Sequence, residues 1–213
     1  HTNQSYKQKV RYKELVMSRS LVFISYSHED RKLKDELIKY LRVYEKHRNN
    51  LALWSVSDIS VGDDWLPKIE HAIENAAVAI LLITVKFLTS DFIQKKEIPQ
   101  LLERRLNNGL VIIPIIAREC PWDAISWLSQ IQAKPLGGRA IWSGDERSIA
   151  TDLTDIAKAT NKIISRLEEE AKNNRINRVS KSGLLRILVA DDHVIAVEGI
   201  CSIIQETEDM EVV

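Results

Sequence analysis

The chain has no excess of charge of either sign, because its 30 lysines and arginines equal its 30 aspartates and glutamates. A balanced surface exerts no long-range attraction on a polyanion, so we expect neither nucleic acid nor an anionic membrane surface as a partner. Cysteine is scarce too, since only Cys120 and Cys201 are present and they lie far apart in the sequence. This scarcity argues against a disulfide framework and a cysteine-based zinc site, and it predicts a reduced, cytoplasmic protein.

Long hydrophobic runs are also missing. The longest, at residues 78–84 and 110–117, are well short of the about 20 residues that a membrane-spanning helix needs. We expect no membrane span, and both runs suit buried strands. Residues 1–16 are polar and lack the apolar segment of a signal peptide. We expect residues 1–16 to be disordered or a non-native extension, with Met17 as the native start.

From Leu21 onward, short apolar runs alternate with amphipathic stretches. This alternation is typical of parallel strands joined by crossover helices. It predicts five strands, the weakest being the last, and four main helices. The strands are expected at 21–25, 51–54, 78–84, 110–117 and 139–142, and the helices near 29–46, from Trp65 onward, at 93–107 and at 146–170. Because the strands are apolar throughout, helices should cover both faces of the sheet, which gives a three-layer α/β domain.

Ligands of such sheets bind beyond the carboxyl ends of the strands. The loops SYSHED, WSVSDISVGDDW and TVKFLTSDFIQKKE follow the first three predicted strands. None of them contains a glycine-rich phosphate-binding motif, so nucleotide binding by such a loop has no support. His28 has no second histidine or cysteine near it in the sequence, and we expect no metal site in this domain.

Three motifs carry a family resemblance. FISYSHED, W-x-x-x-D-I-x-x-G-D-D-W and AILLIT-x-x-FLTSDFI-x-x-x-E-I-P-x-LLERR occur in this order, and together they resemble the bacterial Toll/interleukin-1 receptor (TIR) domains. The resemblance implies a TIR domain at residues 17–169 with a five-stranded, flavodoxin-like parallel sheet. It also implies two activities of different classes, which are cleavage of NAD at the nicotinamide-ribose bond and self-assembly with other TIR domains as a signalling scaffold.

The resemblance points to Glu97 as the catalytic residue. In enzymatic members, a glutamate on the helix after the third strand contacts the nicotinamide ribose and supports an oxocarbenium-like transition state. That glutamate commonly stands four positions after an aromatic residue, whereas Phe92 is followed at that spacing by Lys96. One step along an α-helix turns a side chain by about 100°, although Pro99 favours a helix that begins near Glu97. The alternative for Glu97 is a solvated charge at a helix start.

The resemblance extends to the substrate, NAD, and implies no cofactor. Tyr26, Trp54 and Phe92 are candidates for the wall against a flat ring, and Ser25 and Ser27 are candidate hydroxyl donors. A structural role in the sheet is the alternative for Trp54.

The loop after the second strand is the candidate surface for self-association into a homo-oligomer. Gly62 permits unusual backbone angles, and head-to-tail contacts between such surfaces produce open assemblies. Trp65 has an alternative role as a core residue or loop anchor. The candidate residues of the loop are Asp58, Ile59, Gly62, Asp63 and Trp65.

The polar, basic composition beyond Glu170 predicts a linker at 170–183. Residues 184–213 resemble the first strand and helix of a response-regulator receiver domain, cut short. Asp191 and Asp192 match the acidic pair that holds Mg²⁺ in a complete receiver domain. The phosphorylated aspartate belongs to the third strand, so we expect no phosphotransfer here. Membership of a longer TIR-response regulator fusion in a phosphorelay is a further alternative.

Overall fold

The computed structural model describes residues 20–48, 50–58, 64–182, 185–187 and 210–212. The chain divides into two compact units between Ser165 and Arg166. Residues 1–16 lie outside the described ranges. None of the helices within those ranges combines the length and the hydropathy needed to cross a bilayer.

The first unit is an α/β fold built on a parallel sheet of four strands, in the order β2-β1-β3-β4. The central strands β1 and β3 are largely buried on both faces, as the continuous apolar runs predict. The strand order reverses between β1 and β3, so the loops that follow β1, β2 and β3 meet at one edge of the sheet. The strands are β1 (Ser20–Ser25), β2 (Leu51–Ser55), β3 (Ala76–Ile83) and β4 (Val111–Ile116).

Helices follow these strands close to the positions that the hydrophobic periodicity predicts. The helix Ile98–Asn108 is capped by Gly109, which adopts the left-handed conformation with φ 70°, as the Asn-Asn-Gly sequence predicts. The helices are α1 (Arg31–Arg48), α2 (Trp65–Asn75), α3 (Val85–Thr89), α4 (Ile98–Asn108), α5 (Ser126–Ser129) and α6 (Glu146–Ser182), and a π turn at Ile93–Glu97 directly precedes α4.

The fifth strand expected at 139–142 is wrong, because residues 139 and 140 are irregular and the next two belong to the 3₁₀ turn Ile141–Ser143. The position beside β4 instead carries a single parallel bridge between Lys134 and Ile115. The pairing stops there because Pro135 has no amide hydrogen to donate, and Gly137 turns the chain with φ 88°. The short apolar run at 139–142 therefore contributes to the core without joining the sheet.

The structure also corrects the linker expected at 170–183, because helix α6 continues to Ser182. Residues 170–182 contain no glycine or proline, and lysine and arginine are good helix formers, so a polar composition does not end the helix. In the second unit, β5 (Leu185–Ile187) pairs in parallel with β6 (Met210–Val212). Asp191 and Asp192, the pair expected to resemble a receiver site, lie outside the described residues.

Candidate active site

A small pocket opens at the carboxyl ends of β1 and β2. Its volume is about 170 Å³, and its walls come from the end of β1, the turn after β2, the start of α2 and the segment before α4. Three aromatic side chains and one carboxyl group define its character: Tyr26, Trp65, Phe92 and Glu97. The pocket is therefore a largely apolar space that contains a single acid.

Glu97 is buried, with 3% of its surface exposed. Its Oε2 accepts a hydrogen bond from the hydroxyl of Ser25, which is itself only 1% exposed. Ser25 is the last residue of β1, so the bond joins the centre of the sheet to the segment after α3. Burial removes Ser25 from a direct role as a substrate donor and makes it a partner of the carboxyl group.

The π turn explains why Glu97 faces the pocket. The amide of Ile98 donates to the carbonyl of Ile93, five residues earlier, whereas an α-helix would use the carbonyl four residues earlier. The turn accommodates one extra residue, so the fifth position after Phe92 is directed inward. Lys96 is exposed as a result, and Glu97 is buried.

The regular helix α4 then begins at Ile98, with Pro99 in its first turn, as the proline predicts. The Glu97 side chain makes no capping hydrogen bond to this helix. A solvated charge at a helix start therefore does not describe the position of this carboxyl group.

Burial raises the pKa of Glu97 from 4.5 to about 7, while the hydrogen bond from Ser25 acts in the opposite direction. Loss of hydration disfavours the charged carboxylate, and a donated hydrogen bond favours it. Both protonation states are consequently accessible near neutral pH, which is the range in which a carboxyl group serves in catalysis.

Trp65 stands at the mouth of the pocket. Its side chain is 51% exposed, and its ring meets that of Phe92 edge to face, with the centroids 4.9 Å apart. Because it is the first residue of α2, it lies beyond the part of the helix that packs on the sheet. The interpretation of Trp65 as a core residue is therefore wrong, and the aromatic pair offers a wall for a flat ring.

Two other candidate residues have structural partners. Trp54 stacks on Phe23, with 5.4 Å between the ring centroids and an interplanar angle of 16°, and it packs against the core outside the pocket lining. Asp58 closes the turn after β2, because its Oδ2 accepts from the amide of Ser55 at 2.6 Å and from the Ser55 hydroxyl at 3.1 Å. Ser27 does line the pocket.

The candidate self-association loop is described only at its two ends, by Asp58 and Trp65. Ile59, Gly62 and Asp63 lie outside the described residues. Within the ranges that the structure describes, no group of three or more histidine, cysteine, aspartate or glutamate side chains is arranged to hold a metal ion.

Sequence reasoning missed five residues that line the pocket: His28, Val56, Ile69, Ser90 and Ile93. All but Ile69 lie within the quoted motifs, so membership of a motif was the available signal. Sequence reasoning also missed the burial of Lys34, because a lysine between apolar helix positions normally marks the exposed face.

The part of the chain that forms this pocket matches a known protein family. A family model described as the TIR domain matches residues 22–153, more than half of the chain, and this region includes every pocket residue named above. The chain is also similar to the uncharacterized protein y4lF of Sinorhizobium fredii (strain NBRC 101917 / NGR234), with 29% identity over 150 residues. The match covers 70% of this chain and 45% of that protein, so the chain spans less than half the length of this relative.

Proposed function

The chain belongs to the TIR-domain family, and on this premise we propose that its pocket binds NAD and that Glu97 supports cleavage of the nicotinamide-ribose bond. A TIR domain indicates a signalling or scaffold function, and the pocket adds a specific chemistry to it. The observation that supports the proposal is the buried Glu97 carboxyl, hydrogen-bonded to Ser25 within an aromatic pocket.

The size and lining of the pocket fit one end of the substrate. A volume of about 170 Å³ is below the about 300 Å³ at which pockets begin to hold drug-sized ligands. It suits a nicotinamide ring with part of its ribose, and the rest of a dinucleotide would lie outside. Trp65 and Phe92 offer flat apolar surfaces to the ring.

The chemistry follows from the charge that develops during cleavage. When the bond between the nicotinamide nitrogen and the ribose carbon breaks, the electron pair leaves with nicotinamide and positive charge develops on the ribose. An ionised Glu97, itself only 3% exposed, stabilises that charge more strongly than a fully solvated carboxylate would. Water then adds its hydroxyl to the ribose carbon and releases a proton. The hydrogen bond from Ser25 orients the carboxylate for this role.

Release of nicotinamide by the full chain tests the proposal. The assay covers a range of protein concentrations up to those at which light scattering detects assembly. Glu97→Gln keeps the shape and removes the charge, and we expect its rate to fall by about a hundredfold or more, the usual cost of losing a group that stabilises transition-state charge. Lys96→Ala, at the exposed neighbouring position, is the matched control and should keep the wild-type rate. Equal rates in wild type and Glu97→Gln would refute the proposal.

A non-catalytic scaffold is the second candidate function. The half-exposed Trp65, at the end of the candidate self-association loop, supports it, because exposed aromatic residues are enriched at protein interfaces. Wild type that assembles without consuming NAD, together with weaker assembly of Trp65→Ala, would establish this function in place of catalysis.

The receiver-like interpretation of residues 184–213 also remains a proposal. Its support is the parallel pairing of Leu185–Ile187 with Met210–Val212, since parallel strands require a crossover connection. Mass spectrometry of the native polypeptide tests the fusion to a response regulator. Receiver-domain peptides carried on the same chain as the TIR domain would support the fusion, and a native chain without them would contradict it.

A further inference from the structure

A buried ammonium group lies behind the pocket and takes no part in the proposed chemistry. Lys34, on α1, is only 3% exposed, and lysine is almost never this buried without a partner. Its Nζ lies 2.6 Å from Oδ1 of Asp35 and donates to the hydroxyl of Ser57 at 2.9 Å. These contacts offset the hydration that the charge loses on burial.

The same ammonium contacts one wall of the pocket. The Lys34 Nζ lies 5.3 Å from the centroid of the Tyr26 ring, which is within the range of a cation-π attraction. Tyr26 lines the pocket and adjoins Ser25, the partner of Glu97. A charge held at this distance restricts the orientation of the ring.

The hydrogen bond from Lys34 to Ser57 connects the ammonium group to a second wall of the pocket. Ser57 is the middle residue of the turn Val56–Asp58, and Val56 lines the pocket. The hydroxyl of Ser57 is 2.8 Å from that of Ser55, whose amide and hydroxyl both bond to Asp58. One cation thus contacts the turn after β2 and the tyrosine at the end of β1.

We propose that Lys34 is a positioning residue that holds the turn Val56–Asp58 against Tyr26 and so fixes two walls of the pocket. The effect on NAD cleavage rests on the proposed function, whereas the anchoring of the turn does not. Lys34 itself does not line the pocket, so it acts through Tyr26 and Ser57.

Hydrogen exchange of the Ser55 amide, in the full chain, tests the anchoring directly. Lys34→Met keeps the aliphatic stem and removes the ammonium, and Ser57→Ala removes its acceptor. We expect the amide to exchange about tenfold faster in each variant, as the loss of a charge-assisted hydrogen bond predicts. Lys46→Met, exposed on the same helix, is the matched control and should exchange at the wild-type rate.

Kinetics separate positioning from a general loss of structure. We expect Lys34→Met and Ser57→Ala to raise KM for NAD by about tenfold, with a smaller change in kcat, because the bond between Ser25 and Glu97 is untouched. The double variant should raise KM by less than the product of the two single effects, since both changes remove the contact between Lys34 and Ser57. Wild-type melting of Ser57→Ala would show that the fold is intact.

Wild-type exchange at Ser55 in folded Lys34→Met would overturn the proposal. If Lys34→Met does not fold, Ser57→Ala decides in its place, and wild-type exchange in that variant would overturn the proposal. If wild type releases no nicotinamide, the proposed function fails, while the exchange rates still decide the role of Lys34.

Discussion

The hydroxyl of Ser25 at the end of β1 donates a hydrogen bond to the carboxylate of Glu97, 72 residues later on the π turn that precedes α4. This bond connects the centre of the sheet to the acid in the aromatic pocket. It opposes the effect of burial on the pKa of Glu97, and so it favours the ionised state that the proposed cleavage needs.

Ser25→Ala should move the acidic limb of the pH-rate profile to higher pH. Activity needs the ionised carboxylate, so it falls as the pH drops through the pKa of Glu97, about 7. Removing the hydrogen bond leaves burial unopposed and raises that pKa further. The measurement is nicotinamide release between about pH 5 and pH 9, with Ser27→Ala as the control within the same motif. An unshifted limb in Ser25→Ala would show that the bond does not set the ionisation of Glu97.

Glu97→Gln should stabilise the fold at alkaline pH. The pKa of Glu97 is higher in the folded state than its ordinary 4.5, so the folded protein holds its proton longer than the unfolded chain. Wild type therefore loses stability as the pH rises from about 4.5 through about 7. At about 1.4 kcal/mol for each pH unit between the two pKa values, the loss approaches about 3 to 4 kcal/mol.

Thermal melting of wild type and Glu97→Gln from acidic to alkaline pH measures this effect. Glutamine carries no titrating charge, so the Tm of the variant should exceed that of wild type above about pH 7 and approach it below about pH 4.5. Parallel curves over the whole range would contradict the raised pKa.

Trp65→Ala should weaken substrate binding more than it weakens the fold. Half of the side chain is exposed, so its loss costs little packing in the core, and we expect a change of about 1 kcal/mol or less in the free energy of unfolding. Loss of the wall beside Phe92 should raise KM for NAD by about tenfold, with a smaller effect on kcat. Val43→Ala, an exposed apolar residue on α1, is the control. An unchanged KM would remove Trp65 from the site.

Much of the fold could be predicted from the sequence, because its strands are buried on both faces and its helices carry a regular apolar stripe. The prediction of a fifth strand was wrong because a short apolar run at 139–142 does not reveal that Pro135 and Gly137 turn the chain away from the sheet edge. The interpretation of Trp65 as a core residue was wrong because periodicity shows which face of a helix packs against the sheet. It does not show how far along the helix that packing extends.

The sequence indicated some residues of the candidate pocket, such as Phe92 and Glu97, but it did not indicate their geometry. Pro99 indicated where the regular helix begins, and α4 begins at Ile98 as expected. Tertiary packing determines the π turn, because the turn buries Ile93 and Glu97 and leaves Lys96 exposed. No local propensity specifies a π turn in place of an α-helical turn. Counting positions from Phe92 therefore left Glu97 as either a catalytic residue or a solvated charge at a helix start.

The central claim is that the π turn directs position 97, and not position 96, into the pocket. Nicotinamide release by the double variant Lys96→Glu/Glu97→Gln tests it most directly, since this chain keeps a carboxylate but moves it to the exposed neighbouring position. We predict that its rate equals that of Glu97→Gln alone, about a hundredfold or more below wild type. Recovery of the wild-type rate would contradict the account, because a carboxylate at position 96 would then serve as well as Glu97.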